Sequence, residues 1–395
     1  MLAVIASLVA CAMAQESATE AQVAVTQSAN SFSNDLFKKI AKEQVGKNLI
    51  SSPLSADIVL SMAAYGAGGN TAKQMRQSLH LPENDAVARQ GFESLLTSLQ
   101  DVKNVTLKIA NKVYVAKGFE VKAEYKQLTS GPFKSETSEL DLEKPTESAA
   151  SVNKWVEDNT NNKIHEIVRA DDINTDTRLL LLNAVYFKGN WAKKFNEKFT
   201  EIMPFNTDEK TQKNVSTMFM SSKFKYGELP NLKAKFVELP YENKDLKMII
   251  ILPDEVNGLS LIEENLESVR PEQLKGEEVT VELYLPKFKI ESTIDLEKPL
   301  KELGMTDMFE NSANFTGMSD APLKVGKVLQ KAFIEVNEEG SEAAAVTAIQ
   351  IVPLNLPSDW DEEIIFKVDR PFSYKIIDTA TQAVLFTGHV YDPTN

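Results

Sequence analysis

Glu338-Glu339-Gly340-Ser341-Glu342-Ala343-Ala344-Ala345-Val346-Thr347 is the stretch that decides how this chain is read. Two acids and a glycine lead into a run of small residues, about 55 residues before the C-terminus. Alanine, serine and glutamate favour helix or solvated loop. Yet alternate positions also read as a strand, because strand side chains point by turns to two faces. Ser341, Ala343, Ala345, Thr347, Ile349 and Ile351 share one parity and carry no charge. Glu342, Ala344, Val346, Ala348, Gln350 and Val352 share the other. The segment can lay a small, then apolar, face into a sheet while Glu342 stays in water. A segment that fits both a loop and a strand is a candidate switch.

The rest of the chain bounds what such a switch could serve. Its 395 residues suffice for one large domain or two ordinary ones, and 43% hydrophobic with 25% charged residues fits a globular protein. A net charge of -14 argues against nucleic acid or an anionic membrane as partner. Met1 to Ala14 is uncharged and mostly apolar, ends in Ala12-Met13-Ala14, and is too short to span a bilayer. That is the pattern of a secretory leader, with a polar segment following at once. The chain is therefore expected to be extracellular. Its only cysteine, Cys11, lies within the leader, so the mature protein must rely on its core and not on disulfides. Asn104, Asn214 and Asn314 each open an Asn-X-Ser/Thr acceptor motif.

Helical and strand signals are mixed throughout, without repeats or long linkers. Phe32, Leu36, Phe37 and Ile40 recur at helical spacing, as do Val152, Trp155 and Val156, followed by Ile164 and Ile167. Leu296, Leu300 and Leu303 do likewise. Arg178 to Phe187 holds a nearly unbroken apolar run, which suits a strand buried on both faces. Leu246 to Leu252 is a second such run. Val279, Val281, Leu283 and Leu285 alternate with polar neighbours as a half-buried strand ending at Pro286. Ile364 to Val368 and Ala383 to Val390 read as strands around a turn at Pro371-Phe372. Helices early and sheets later, without βαβ alternation, indicate an α+β fold.

Catalytic constellations are scarce. His80, His165 and His389 stand in no metal-ligand spacing, and there is no nucleophile elbow, Walker loop or mature cysteine. Gly66-Ala67-Gly68-Gly69-Asn70-Thr71 lacks the lysine of a phosphate loop and reads better as a helix C-cap and turn. Pairs such as Asp171-Asp172 and Glu263-Glu264 read as solvated faces. These observations point away from an enzyme and call for no metal or cofactor.

Four separated segments then carry a resemblance over the whole mature chain. They are Asn48-Leu49-Ile50-Ser51-Ser52-Pro53-Leu54-Ser55; Leu182-Asn183-Ala184-Val185-Tyr186-Phe187-Lys188-Gly189-Asn190-Trp191; Phe333-Ile334-Glu335-Val336-Asn337-Glu338-Glu339-Gly340; and Asp369-Arg370-Pro371-Phe372 with Phe386-Thr387-Gly388-His389-Val390. In this order they resemble the serpins, most of all the secreted, inhibitory serpins of insects. The resemblance implies residues 15–395 as one domain, with helices packed on three β-sheets and an exposed reactive-centre loop at about 340–363. It implies a serine protease as partner, trapped as a covalent acyl complex when the loop is cut and inserts as a new strand. Gly340 would be the hinge and Ser341 to Ala345 the first residues to insert. Inhibitory members usually place the primary-specificity residue fourteen positions after the hinge glycine, here Leu354 with Asn355 across the bond. Leu356 is the next candidate, since Ser358-Asp359-Trp360-Asp361-Glu362-Glu363 is longer and more acidic than usual. Leu354 suits chymotrypsin-like or elastase-like enzymes, and no Lys or Arg lies between Ser341 and Phe366 to suit a trypsin-like one.

Further positions follow by resemblance. Ser52, Ser55 and Asn183 match a polar cluster beneath the sheet that lets it open. Gln330 stands where many members have a histidine. Glu338 and Lys287 match a charged pair where the loop enters, and Trp191 a packing residue beside it. The stronger reading of all of these is a role in folding and packing alone, ahead of a direct part in the switch. A heparin-type cofactor is not expected through residues 86–100, where Arg89 is the only basic residue, while Lys38, Lys39 and Lys42 form either a polyanion patch or a solvated helix face. The expected state is a monomer. The competing reading is a non-inhibitory serpin acting as carrier, storage protein or chaperone; its members often carry charged or bulky hinge residues. An enzyme with an unrecognised site is the third.

Overall fold

The computed structural model describes residues 2–100, 102, 105–173, 178–242, 245–341 and 363–394, with side chains from residue 19 onward. Its helices are α1 (Leu2–Glu43), α2 (Pro53–Gly66), α3 (Gly69–Ser78), α4 (Asp85–Gln100), α5 (Ala123–Ser130), α6 (Pro145–Asn159), α7 (Leu259–Glu264) and α8 (Glu297–Glu302). The strands are β1 (Leu49–Ser51), β2 (Val105–Ala116), β3 (Glu136–Leu140), β4 (Leu179–Asn190), β5 (Glu201–Asn206), β6 (Gln212–Leu229), β7 (Ala234–Pro240), β8 (Leu246–Pro253), β9 (Glu277–Pro286), β10 (Phe288–Asp295), β11 (Val325–Val336), β12 (Gly340–Ser341), β13 (Ile364–Lys367), β14 (Phe372–Asp378) and β15 (Val384–Val390).

They form two hydrogen-bonded networks. The central one runs β10-β11-β12-β4-β2-β3. The other runs β1-β15-β14-β8-β7-β6-β9-β13, with β5 also on β6. Two of the three sheets implied by the resemblance share one network because β6 is 18 residues long. Its Thr217–Tyr226 stretch pairs with β9 and its Lys225–Leu229 end with β7.

β4 shows why the central sheet needs cover on both faces. Leu179, Leu181, Val185 and Phe187 enter the main core beneath α2. Leu180, Leu182, Ala184 and Tyr186 enter a second core with Val152 and Val156 of α6. A period of two thus serves both cores, and the run has no polar face to lose. In α1 the stripe Val25, Ala29, Phe32, Leu36, Phe37 and Ile40 is buried at helical spacing. α2 starts with Pro53 in its first turn and is buried from Pro53 to Ala64, so it is enclosed rather than amphipathic.

Two local expectations are corrected. Ile164 and Ile167 do not continue the helix: α6 ends at Asn159, and Asn161 and Asn162 take left-handed φ values of 52° and 56°. Both isoleucines reach the second core from an extended segment instead. Pro371-Phe372 is not an isolated turn, because Phe372 opens the wholly buried strand β14 between β8 and β15. The Gly66–Thr71 segment is the α2–α3 junction, as the bland reading expected.

Candidate functional site

The site grows from the contact between β4 and β11. These strands are parallel and pair directly from Val325↔Leu179 to Phe333↔Tyr186. Above that stretch they part, and β12 lies between them. Gly340 pairs with Asn190, and Ser341 pairs with Gly189 on one side and Val336 on the other. β12 is antiparallel to both neighbours, a geometry in which hydrogen bonds run perpendicular to the strands. Gly340 has φ +156°, and a Cβ there would overlap the Gly189 carbonyl oxygen and lie 2.6 Å from Asn190 Cα. Backbone approaches backbone at this point, so only glycine fits.

Ser341 is fully buried, and its Oγ lies 2.8 Å from the Tyr241 hydroxyl. Burial raises the Tyr241 pKa, so the phenol stays neutral and able to donate. Trp191 stacks on Tyr241 at 4.7 Å and donates from Nε1 to the Asn337 carbonyl (2.9 Å). The Trp191 and Phe195 amides donate to the Glu339 and Glu338 carbonyls, each at 2.9 Å. Asn337 Oδ1 accepts from the Glu339 and Gly340 amides, closing the turn that leads into β12.

Glu338 is nearly buried at this entry point. Lys287 Nζ lies 2.8 Å from its Oε2, and Thr200 donates to its Oε1 at 2.8 Å. Burial pushes the Glu338 carboxyl up, but Lys287, its own backbone amide and Thr200 outweigh that and hold it below its ordinary value. Lys194 pairs with Glu339 nearby. The expected Glu338–Lys287 pair and Trp191 therefore meet beside Gly340.

Lower down, the polar cluster assembles as one buried network. Gln330 and Asn183 face each other across β11 and β4, with Gln330 Nε2 donating to Asn183 Oδ1 at 2.7 Å. Gln330 also donates to the Ser52 carbonyl (2.8 Å) and accepts from Ser51 Oγ (2.6 Å) and the Ser52 amide (3.0 Å). Asn183 Nδ2 donates to Ser55 Oγ and to Asn111 Oδ1. Ser52 Oγ reaches the Leu385 carbonyl at 2.6 Å. Gln330 fills all four of its hydrogen-bonding roles without a titratable group. Ser51, Asn111 and Tyr241 belong to these constellations although the sequence reading did not single them out. Asn111 was hidden because β2 itself, interrupted by Lys108, Asn111 and Lys112, gave no clean alternation.

Other expectations fall elsewhere. Glu342, Ala343, Ala344 and Ala345 and the bond Leu354-Asn355, with Leu356, lie outside the described residues, as does Asn104. Asn214 is exposed on β6, and Asn314 is half-buried beside the α2–α3 junction. Lys38 donates to the Glu264 carbonyl and Lys39 pairs with Glu302, which interleaves that helix face with acidic chain. Arg89 on α4 lies 5.0 Å over the Tyr65 ring. Among the described residues no cluster of three metal-ligating side chains occurs.

Residues 27–393 match the family model for serpin (serine protease inhibitor). Alaserpin of Manduca sexta is 37% identical, over 98% of this chain and 98% of its own length. The leukocyte elastase inhibitor of Bos taurus is also 37% identical, over 92% of this chain and 97% of its own. The crystal structure of Serpin48, a highly specific serpin of the insect Tenebrio molitor, superimposes with a TM-score of 0.86 at 32% identity, covering 93% of this chain and 98% of that one.

Proposed function

The chain belongs to the serpin family, and from that premise we propose that it is a secreted serine protease inhibitor acting by suicide-substrate trapping. One observation carries the reading. Gly340 and Ser341 already sit between β4 and β11, antiparallel to both, at the place where a longer strand would enter. Continued insertion exchanges one parallel pairing for two antiparallel ones, and antiparallel pairing is slightly the more stable per residue. The residues that would follow, Ala343, Ala345 and Thr347, are small enough to enter a closed sheet.

The proposed sequence of events starts with attack by the protease serine on the Leu354 carbonyl. The Leu354-Asn355 bond breaks, Asn355 leaves as the new amine, and the acyl-enzyme remains on Leu354. Freed at that end, the loop enters the sheet and carries the protease with it before water can hydrolyse the ester. Leu354 fills an apolar primary pocket, so chymotrypsin-like and elastase-like enzymes are the proposed targets. Residues 1–14 are proposed as the removed leader and 15–395 as the single mature domain.

Incubation with chymotrypsin, elastase and trypsin tests this. The expected result is an SDS-stable complex with the first two and release of Asn355–Asn395, a peptide of 41 residues. A released peptide beginning at Pro357 would place the cut after Leu356 instead. Clean cleavage with no stable complex would leave the carrier, storage or chaperone reading in its place.

A further inference from the structure

The hairpin of β5 and β6 turns an unusually apolar residue to solvent. Ile202 is 68% exposed, the highest value among the described large apolar side chains. It lies opposite Ser216, and Pro204 lies opposite Asn214. Directly opposed residues share a face, so Ile202, Pro204, Asn214 and Ser216 form one outward patch. The intervening Val215 faces Met203 and is buried at 3%. Asn214-Val215-Ser216 is thus an acceptor motif whose first and third residues point to solvent while the middle one anchors the strand. The Asn214 side-chain amide has no hydrogen-bond partner among the described residues, and Asn214 is the diagonal neighbour of Ile202, a relation that sets residues about 7–8 Å apart with their Cβ atoms somewhat nearer.

Asn314 is placed differently. Its Oδ1 accepts from the Thr316 amide (3.1 Å) and hydroxyl (2.8 Å), its amide donates to Thr71 Oγ1, and its carbonyl accepts from Gly68. Its whole side-chain amide lies against the α2–α3 junction: a Cβ at Gly68 would lie 3.0 Å from Oδ1 and 3.1 Å from Nδ2, and one at Gly69 3.6 Å from Nδ2. A sugar on that nitrogen would stand against the backbone of Gly68 and Gly69, on a side chain that is already half-buried.

We propose that Asn214 carries an N-linked oligosaccharide that covers the Ile202 face of the hairpin, and that Asn314 is left bare. The proposal rests on the reading that the chain is secreted. In the transfer, Asn214 Nδ2 bonds to C1 of an oligosaccharide held on a polyprenyl pyrophosphate. The C1–O bond breaks, pyrophosphate leaves on the lipid, and the amide loses one proton. The first sugar then stands over Ile202, and its C–H faces remove apolar surface from water. Without the sugar the same patch is free to associate with another.

The test expresses the full chain in cultured insect cells, once with its own N-terminus and once behind a heterologous secretion leader. Asn104→Gln is present throughout, so that this third motif adds nothing. Peptides from the medium are treated with a peptide-N-glycosidase in heavy-oxygen water, which converts a glycosylated Asn to labelled Asp. Label at Asn214 and none at Asn314 is expected in both arms. Secreted protein with unlabelled Asn214 in the heterologous arm overturns the proposal, and label at Asn314 overturns its second half. Failure of the native arm alone to reach the medium counts against the leader and leaves the glycan result to the other arm. A second readout is self-association by light scattering: Asn214→Gln should raise it, and adding Ile202→Ser should bring it back. Equal scattering from glycosylated protein and Asn214→Gln would remove the covering role.

Discussion

Gln330 ties two paired strands of the central sheet to the segment beneath them. It donates to Asn183 across the strands and exchanges three bonds with Ser51 and Ser52 beneath them. Gln330→Ala strands these buried groups, at about 1–3 kcal/mol for each left unpaired. Thermal unfolding should show a clear drop in midpoint, and an unchanged midpoint would mean that the network does not close the sheet. Gln330→His would introduce a group titrating near pH 6.5. The rate at which native structure is lost on warming should then vary with pH, across the range in which that histidine titrates, more steeply than in the parent. Asp57 is the opposite case. It is fully buried in α2, neither oxygen makes a well-formed hydrogen bond, and burial holds the carboxyl well above its ordinary range against a smaller pull from Ser61. As pH rises through about 3.9 the unfolded chain ionises first. Native stability therefore falls from there until the folded group ionises. Asp57→Ala should raise stability at neutral pH, and the gain should shrink as pH falls below the unfolded pKa. Urea unfolding at both pH values checks the sign. Asp57 left a trace in the sequence, being the only charge between Leu49 and Ala72. Periodicity and composition gave no sign of the Gln330 network, whose members come from four distant stretches; Ser52, Ser55, Asn183 and Gln330 were reached only through the resemblance, and Ser51 and Asn111 were not singled out at all.

At the scale of elements, β12 depends on two features that can be altered separately. Gly340→Ala forces a Cβ into the Gly189 backbone, so the two-residue strand should leave the sheet. Ser341 would then release Tyr241, and Trp191 would lose the Asn337 carbonyl. In a variant with Trp155 and Trp360 replaced by Phe, the Trp191 emission should shift to the red; an unshifted spectrum would show that the hinge stays seated. Glu338 gives the same seat a pH limit. Its folded pKa lies below the unfolded value, so its contribution is present above the unfolded pKa and is lost as pH falls through the folded one. The Trp191 signal should loosen on acidification, and Glu338→Gln should remove that acid step. The strands most legible in the sequence were those whose burial is uniform, β4 and β8, or regularly alternating, β9. β6 was illegible because its neighbour and its environment change along its length, so no single period describes it. β14 was hidden by Pro371, whose missing N–H reads as a turn but stands just before the first paired residue.

At the scale of the whole molecule, the proposed mechanism requires the native form to be less stable than the form with the loop inserted. β4 and β11 pair directly over eight positions, yet β12 marks a third strand's place between them. The cleavage count came from the resemblance and falls outside the described residues, whereas the inward parity of Ser341 was readable in sequence because it follows chain order. That the sheet is closed below the hinge and already parted at it was not, because it depends on strands about 150 residues apart. Filling the gap from Ser341 to Leu354 would add antiparallel ladders on both sides and bury Ala343, Ala345, Thr347, Ile349 and Ile351 on one face. Each hydrogen bond contributes about 0.5–1.5 kcal/mol net, so the full strand should add on the order of 10 kcal/mol after the β4–β11 pairing is replaced. At about 2.1 cal/mol/K per residue, unfolding of a chain this long shifts by on the order of 10 °C for that energy. Cleavage after Leu354 should therefore raise the thermal midpoint by at least that much, although it cuts the chain. Calorimetry of intact and cleaved protein at equal pH decides the matter. A midpoint that stays or falls would mean the loop does not enter, and the seated hinge would then be a finished strand end and not the beginning of an insertion.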